Sequence, residues 1–253
     1  MGALVIVATP IGNLSDISPR ALDALRNADL IACEDTRQTL KLLNHFGIQK
    51  PLVSYHDFNE EKKAAELGGK IRDGMTVALV SDAGTPGISD PGYRLVRYCR
   101  EQGLAVSSIP GPNAAIAALA ASGLPSDEFF FVGFLPSKKT ARREKLETLR
   151  ALPATLIFYE APHRISVTLT DLLEVLGDRE ACIARELTKL HEEFLFGKLS
   201  EISSRVKELG EFVIIVGGQT AEAPSPKPVL TREEALKILG ISRNELYDLF
   251  FKK

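Results

Sequence analysis

Residues 76–92 of this chain read TVALVSDAGTPGISDPG, an apolar run with β-branched residues followed by a loop of glycine, proline and short polar residues. Such a run predicts a buried strand, and the glycines and prolines predict the turn that ends it. We expect a strand over Thr76–Val80, then the loop, and then a helix from about Pro91.

The same order of strand, loop and helix occurs elsewhere in the first half of the chain. Strands are predicted over Ala3–Thr9, Asp29–Cys33 and Ala105–Ile109, with helices from about Thr36 and about Pro112. Strands that alternate with helices favour a mostly parallel sheet that is covered on both faces.

The pattern changes in the second half, where short strands dominate. They are predicted over Phe129–Val132, Thr155–Tyr159, Ala181–Arg185, Glu193–Leu199 and Glu211–Val216. We expect the last two to be antiparallel neighbours. The predicted fold class is therefore α/β, with two α/β domains.

The domain boundaries follow from these changes in pattern. An N-terminal α/β domain is expected over residues 1–112 and a C-terminal α+β domain over residues 113–220. Residues 221–229 are rich in proline and poor in large apolar side chains, which is typical of a linker. Residues 230–253 predict a short helical appendix.

The bulk properties limit the class of protein. The 253 residues are 45% hydrophobic and 25% charged, which is typical of a globular chain. No apolar run reaches the roughly 18 residues of a membrane span, and the first residues lack the basic stretch of a signal peptide. We expect a soluble, cytoplasmic protein. The net charge of −2 argues against non-specific coating of nucleic acid, so an RNA partner would have to meet a local basic patch.

The cysteines and histidines do not indicate a metal site. The three cysteines are widely spaced and odd in number, so neither a disulfide framework nor a thiolate metal site is favoured. The four histidines lack metal-ligand spacing such as H-E-x-x-H. We expect no metal.

Three predicted strand-to-helix loops, at 9–14, 81–92 and 110–114, are rich in glycine and proline. Ligands of open α/β sheets bind beyond the carboxyl ends of the strands, and glycine lets the backbone approach a ligand closely. None of the loops matches the phosphate-binding patterns G-x-G-x-x-G or G-x-x-x-x-G-K-[ST]. They suit a flat, polar cofactor, and the alternative is that they are tight turns that feed helix caps.

Six segments stand out in order along the chain: TPIGNL at 9–14, EDTR at 34–37, SDAGTP at 81–86, ISDPG at 88–92, PGP at 110–112 and ARELTK at 184–189. Together they resemble the ribosomal RNA small-subunit methyltransferase I family over nearly all of residues 3–218. The resemblance implies a tetrapyrrole-methylase-like fold with S-adenosylmethionine in a cleft between two α/β halves. It also implies a homodimer that methylates the 2′-oxygen of a cytidine ribose in the decoding region of 16S rRNA, in the 30S subunit.

The cofactor-binding residues are assigned from the positions of this chain that match the motifs of the family. The resemblance implies that the cofactor is lined by Pro10, Gly12, Asp82, Ala83, Gly84, Thr85, Ile88 and Ser89, with Pro110, Gly111 and Pro112 beneath it and Tyr159 and Leu187 facing the adenine.

Two other functions stay open. The first loop reads PIGN, where tetrapyrrole C-methylases resemble G-x-G-D, and this departure disfavours a tetrapyrrole or another small metabolite as the acceptor. A ribosome-binding module without catalysis would not require three convergent loops of cofactor size.

Methyl transfer to a hydroxyl needs alignment of the reacting atoms and a group that takes the hydroxyl proton. The leading candidates for catalysis are Glu34, Asp35, Glu160 and Lys189. Glu186 and His163 are further candidates, and the sequence does not choose among the six. Lys189 could act only if burial or a nearby cation lowered its pKa. These side chains could equally cap helices or form structural ion pairs. We expect Arg37 and Arg164 to contact phosphate.

Residues 138–150 carry six basic residues against two acidic ones. Such a run is often only the solvated face of a helix, but here it opens the second half of the chain. We predict that it binds RNA phosphate through Lys138, Lys139, Arg142 and Arg143.

Overall fold

The computed structural model describes residues 2–57 and 59–219, so the predicted linker over 221–229 and the appendix over 230–253 lie outside the described residues. Contacts group the chain up to Gly218 into one compact unit. It contains two sheets, and the division between residues 112 and 113 stays a prediction. None of the helices in this part of the chain is long and apolar enough to cross a membrane.

The first sheet is entirely parallel, which agrees with the prediction of a mostly parallel sheet. Its strands are β1 (Ala3–Val7), β2 (Leu30–Cys33), β3 (Leu52–Ser54), β4 (Thr76–Val80) and β5 (Ala105–Ile109), in the order β3-β2-β4-β1-β5. Its helices are α1 (Pro19–Asn27), α2 (Thr36–His45), α3 (Glu60–Arg72) and α4 (Tyr93–Glu101). One apolar cluster includes Leu25 and Leu43 from α1 and α2, and another includes Leu67 and Leu95 from α3 and α4. Separate clusters for the two helix pairs agree with the prediction that both faces are covered.

Neither β3 nor α3 was predicted. β3 has only three residues, all of them partly exposed, so it has no continuous apolar run. The helix α3 reads EEKKAAELGGKIR, and its two adjacent glycines weaken the helical pattern. Both elements are held by tertiary contacts rather than by local preference.

Side-chain caps fix where the helices begin. The helix α2 begins at Thr36 as predicted, and a carboxylate oxygen of Asp35 accepts a hydrogen bond from the Arg37 backbone N–H at 2.8 Å. The helix α5 (Ala114–Ala121) begins two residues after the predicted Pro112, because the Asn113 side chain accepts from the backbone of its third residue at 3.1 Å.

The second sheet is mixed. Its strands are β6 (Phe129–Phe134), β7 (Thr155–Glu160), β8 (Glu180–Arg185), β9 (Glu193–Lys198) and β10 (Phe212–Val216), in the order β6-β7-β10-β8-β9. Only β6 and β7 are parallel. Its helices are α6 (Lys139–Leu149), α7 (Ile165–Leu176) and α8 (Leu199–Ser203).

The predicted pairing of Glu193–Leu199 with Glu211–Val216 is wrong, because β8 lies between β9 and β10. Every residue of β10 is buried, so this strand needs a partner on both sides and occupies the centre of the sheet. The strand β9 is mostly exposed or half-buried and forms the edge, where it pairs only with β8.

The helix α5 joins the two halves of the chain. Although it follows the last strand of the first sheet, its residues Ala115, Ala118 and Leu119 pack in one apolar cluster with Ile157 and Val213 of the second sheet. The loop before α5 therefore lies where the two sheets meet.

Candidate functional site

Two of the predicted loops are joined directly through their backbones. Thr9 and Gly84 exchange two hydrogen bonds, with N···O distances of 2.8 and 3.0 Å. Gly84 has a φ of +82°, which glycine adopts without steric cost. The hydroxyl of Thr85 donates to the carbonyl oxygen of Pro112 at 2.9 Å, so the third loop is attached as well. These contacts bring the carboxyl ends of β1, β4 and β5 into one site.

The first loop also touches the turn that follows β8. A Cβ atom placed on Gly12 would lie 2.9 Å from the carbonyl oxygen of Leu187 and 2.5 Å from Cγ of Lys189. Such distances are shorter than van der Waals contact, so only glycine fits here. The two halves of the chain meet at this point through backbone atoms.

A cavity of about 380 Å³ lies between the loops of the first sheet and the ends of β7 and β10 in the second. This volume is in the range of small-molecule sites, which start at roughly 300 Å³. Its lining residues are Ile11, Ala83, Gly84, Thr85, Ile88, Ser89, Asp90, Asn113, Ala114, Phe134, Tyr159, Glu160, Ala161, Pro162, Leu187, Glu211, Phe212 and Val213.

The predicted cofactor residues divide into three groups. Those that line the cavity are Ala83, Gly84, Thr85, Ile88, Ser89, Tyr159 and Leu187. Those that line a neighbouring recess, together with Lys189, are Pro10, Gly12 and Asp82. The segment of Pro110, Gly111 and Pro112 stands behind the wall, where its last carbonyl oxygen receives the hydrogen bond of Thr85.

Backbone strain is concentrated beside this cavity. Ser89 and Thr188 have φ values of 63° and 64°, in the left-handed region that residues other than glycine rarely adopt, and β-branched residues such as threonine least of all. The buried Oγ1 atom of Thr188 has no hydrogen-bond partner within the described part of the chain. Such strain costs on the order of 1–3 kcal/mol per residue and is found most often at functional sites.

Asp35 and Arg37, predicted for catalysis and for phosphate binding, are paired with each other. Their side chains approach to 2.7 Å, and the hydrogen bonds from Arg37 lower the pKa of Asp35 to about 2. A carboxylate with such a low pKa is a weak base. The observed role of Asp35 is to cap α2 and hold Arg37.

Glu160 and Arg164 brace the end of β7. One carboxylate oxygen of the buried Glu160 accepts from Thr168 Oγ1 at 2.6 Å and the other from the Ala161 N–H at 2.8 Å. Arg164 lies 3.3 Å from the second oxygen and donates to the carbonyl oxygen of Leu135 at 2.7 Å. Both oxygens of Glu160 are therefore engaged.

Lys189 is held as a cation. Its ammonium group donates to Glu186 at 2.9 Å and to Glu211 at 2.8 Å. Burial acts to lower the pKa of Lys189, but the hydrogen bonds to Glu211 and Glu186 outweigh it and raise the pKa. A protonated lysine cannot accept the proton of an acceptor hydroxyl.

Glu34 differs from these three candidates, because acidic neighbours surround it. Burial and the charges of Asp82, Asp90 and Asp57 raise the pKa of Glu34. Asp90 belongs to the same group and also lines the cavity, where burial raises its pKa to about 6. Asp90 was not predicted as a site residue, although its position in the segment ISDPG after a strand was a usable signal.

The four basic residues predicted to bind RNA lie in different environments. Lys138 and Lys139, at the start of α6, are exposed. Arg142 is buried in an ion pair with Asp171 at 2.7 Å. Arg143 contacts Glu174 and also lies 3.5 Å from Asp171. The burial of Arg142 argues against its predicted contact with phosphate, since its guanidinium has no access to a ligand.

Comparison with known proteins gives one consistent group of relatives. Residues 3–203 match the family model of the Tetrapyrrole (Corrin/Porphyrin) Methylases. The chain is 54% identical to Ribosomal RNA small subunit methyltransferase I of Halalkalibacterium halodurans over 90% of this chain and 80% of that protein. It is 50% identical to the protein of the same name from Escherichia coli O157:H7, over 97% and 86% of the two chains.

Solved structures with low sequence identity share the fold. Diphthine synthase has a TM-score of 0.64 at 17% identity, over 86% of this chain and 90% of that one. Uroporphyrin-III C-methyl transferase from Thermus thermophilus, complexed with S-adenyl homocysteine, has a TM-score of 0.58 at 20% identity, over 86% and 97% of the chains. These likenesses confirm the predicted fold class.

Proposed function

Because this chain belongs to the ribosomal RNA small subunit methyltransferase I family, among the tetrapyrrole methylases, we propose that it methylates small-subunit ribosomal RNA with S-adenosylmethionine as the methyl donor. The observation that carries the proposal is the cavity at the junction of the two sheets. Loops from β1 and β4 and the ends of β7 and β10 converge there, next to the attached third loop.

The chemistry of the cavity fits this cofactor. Its wall combines Ala83, Gly84 and Thr85 of the glycine-rich loop with the apolar residues Ile88 and Leu187. A nucleoside cofactor presents both flat apolar area and several polar atoms, so a mostly apolar pocket with a few placed polar groups suits it. We propose that these residues, with Ser89 and Tyr159, hold the cofactor, and that Pro10, Gly12 and Asp82 shape its approach.

The reaction needs little covalent help from the protein. When bound, S-adenosylmethionine supplies a methyl carbon that accepts an electron pair from the acceptor oxygen while the pair of the broken C–S bond returns to sulfur. The residues of the chain align the acceptor, and the apolar side chains of Phe134, Leu187 and Val213 keep water away.

The finer assignment rests on the resemblance in the loops. We propose that the acceptor is the 2′-hydroxyl of a cytidine in the decoding region of 16S rRNA within the 30S subunit, and that the protein acts as a homodimer. The departure of the first loop, PIGN at residues 10–13, from the G-x-G-D of tetrapyrrole C-methylases supports an acceptor other than a tetrapyrrole.

Alkaline digestion tests the ribose assignment. The purified protein is incubated with methyl-labelled S-adenosylmethionine and 30S subunits from cells that lack the enzyme, and the RNA is then digested with alkali. A 2′-O-methyl group removes the nucleophile for strand cleavage, so we expect the label in alkali-resistant dinucleotides. Subunits from cells that contain the enzyme serve as the control and should take up little label.

Two other results would contradict the proposal. Label in mononucleotides would show that the methyl group is on a base and not on the ribose. Bound cofactor without any transfer to RNA would point to a small-molecule acceptor.

The exposed lysines at the start of α6 are proposed to contact RNA phosphate. The double substitution of Lys138→Ala and Lys139→Ala should weaken binding of the RNA substrate without changing the affinity for the cofactor. Each lost phosphate contact should reduce the steepness of the salt dependence of log K by about 0.7–0.9. Binding measured over a series of salt concentrations gives this slope.

The matched control is Lys62→Ala, which removes an exposed lysine from α3. It should leave the slope unchanged. Equal slopes for the double variant and the unmodified protein would show that the lysines at the start of α6 do not contact RNA phosphate.

A further inference from the structure

We propose that Asp90 is the catalytic residue that takes the proton of the acceptor hydroxyl, an inference that rests on the proposed function. Asp90 lines the cavity together with Gly84, Thr85 and Tyr159. A general base must lie within reach of the hydroxyl it deprotonates, and Asp90 lines the cavity that is proposed to hold the reacting groups.

The other acidic residues of the cavity wall are already engaged. Both carboxylate oxygens of Glu160 accept hydrogen bonds inside the protein. The carboxylate of Glu211 is paired with the ammonium group of Lys189 at 2.8 Å. Asp90, in contrast, forms no ion pair with any residue in the described part of the chain. No ion pair of Asp90 within this part of the chain would therefore have to break before its carboxylate could meet a substrate.

The surroundings of Asp90 make it a stronger base than an ordinary aspartate. Burial is the largest cause of its raised pKa, and the negative charges of Asp82 and Asp57 add to it. Glu34 and Tyr159 also lie close enough to feel the charge of Asp90. With a pKa of about 6, Asp90 is mostly ionised at neutral pH and still holds a proton better than a solvated carboxylate.

Ser81 lies close to this carboxylate. Burial has the largest influence on the pKa of Asp90 and raises it, whereas the Ser81 side chain acts to lower it. The Ser81 hydroxyl lies 3.3 and 3.4 Å from the carbonyl oxygens of Ala83 and Gly84, and the Ser81 carbonyl oxygen accepts from Thr9 Oγ1 at 3.1 Å. Ser81 therefore joins the surroundings of Asp90 to the loops that form the cavity.

The proton balance of the step is simple. As the acceptor oxygen forms its bond to the methyl carbon, its O–H bond breaks and the proton moves to a carboxylate oxygen of Asp90. The carboxylic acid then releases the proton to solvent after the product leaves, which returns Asp90 to its ionised form.

The test compares Asp90→Asn with Asp57→Asn. We expect Asp90→Asn to lower kcat by about 10²–10⁴-fold, the usual contribution of a general base, while the Kd for S-adenosylmethionine changes by less than about threefold. For the unmodified protein, kcat should rise with pH and level off above the titration of Asp90. Asp57 is exposed and does not line the cavity, so Asp57→Asn should keep the same plateau and move the rising limb to lower pH.

Two measurements without turnover test the electrostatic argument. Carbon-13 NMR of the cofactor-free protein should show an aspartate carboxyl that titrates near pH 6 and is missing from Asp90→Asn. The pKa of Asp90 is higher in the folded state than in the unfolded state. The folded protein therefore loses stability as the pH rises from the ordinary pKa of an aspartate to about 6. Asp90→Asn cannot ionise, so over this pH interval its melting temperature should rise relative to that of the unmodified protein.

The outcomes separate this inference from the proposed function. Turnover of Asp90→Asn within about threefold of the unmodified protein, or a rising limb that persists in this variant, would overturn the role of Asp90. Label in mononucleotides from the unmodified protein would instead overturn the ribose assignment, whatever the NMR titration of Asp90 shows.

Discussion

Replacement of Arg142 by alanine is expected to destabilise the protein by about 3–5 kcal/mol, the usual cost of leaving one charge of a buried ion pair without its partner. Arg142 donates from Nε to Asp171 at 2.7 Å and from Nη1 to the carbonyl oxygen of Ser137 at 3.1 Å. Asp171 is 1% exposed, and its remaining cation, Arg143, lies 3.5 Å away. Urea denaturation gives the change in the free energy of unfolding.

Two further variants test whether burial is the cause. Arg26→Ala removes an exposed arginine that lies 3.4 Å from Asp23, and it should have no measurable effect on stability because exposed pairs contribute little. Substitution of both Arg142 and Asp171 by leucine should recover most of the lost stability, since no charge is then left unpaired. If the Arg142→Ala protein is as stable as the unmodified protein and binds RNA more weakly, Arg142 contacts RNA and is not mainly a structural residue.

Gly12→Ala is expected to weaken the binding of S-adenosylmethionine at least about tenfold, which corresponds to about 1.4 kcal/mol. The added Cβ would lie 2.9 Å from the carbonyl oxygen of Leu187, and backbone cannot move aside as a flexible side chain can. Either the first loop or the turn after β8 must shift, and Leu187 lines the cavity. Overpacking of this kind costs about 1–3 kcal/mol. Calorimetric titration with S-adenosylmethionine measures the change.

The matched control is Gly69→Ala in α3, where an added Cβ meets nothing within 4 Å. This substitution should stabilise the helix by up to about 1 kcal/mol and leave cofactor affinity unchanged. If Gly12→Ala binds the cofactor as tightly as Gly69→Ala does, the close contact between the two halves does not shape the cofactor site.

Much of the fold could be predicted from the sequence, because short local patterns determine where many of its strands and helices begin and end. The apolar runs of β1, β2, β4 and β5 end in glycine- and proline-rich loops, and this order favours a parallel sheet with ligand-binding loops along one edge. The cap at Asp35 places the start of α2 for the same local reason. Each of these signals lies within a few residues of the element that it predicts.

Other features depend on residues that are far apart in the sequence. The central position of β10 and the edge position of β9 follow from which faces the packed sheet buries, and an apolar run does not specify its neighbours. The short strand β3 likewise forms only because β2 is beside it.

The candidate site divides in the same way. The loops that form the cavity are visible in the sequence, whereas the state of each ionisable group depends on its tertiary surroundings. Lys189 is held as a cation by Glu186 and Glu211, and Arg142 is buried against Asp171. Asp90 is made more basic by burial and by the negative charges of Asp82, in the same loop, and of Asp57, which is far from it in the sequence. The pKa of a side chain depends on the solvent and the charges that the fold removes or brings near, and spacing along the chain carries neither.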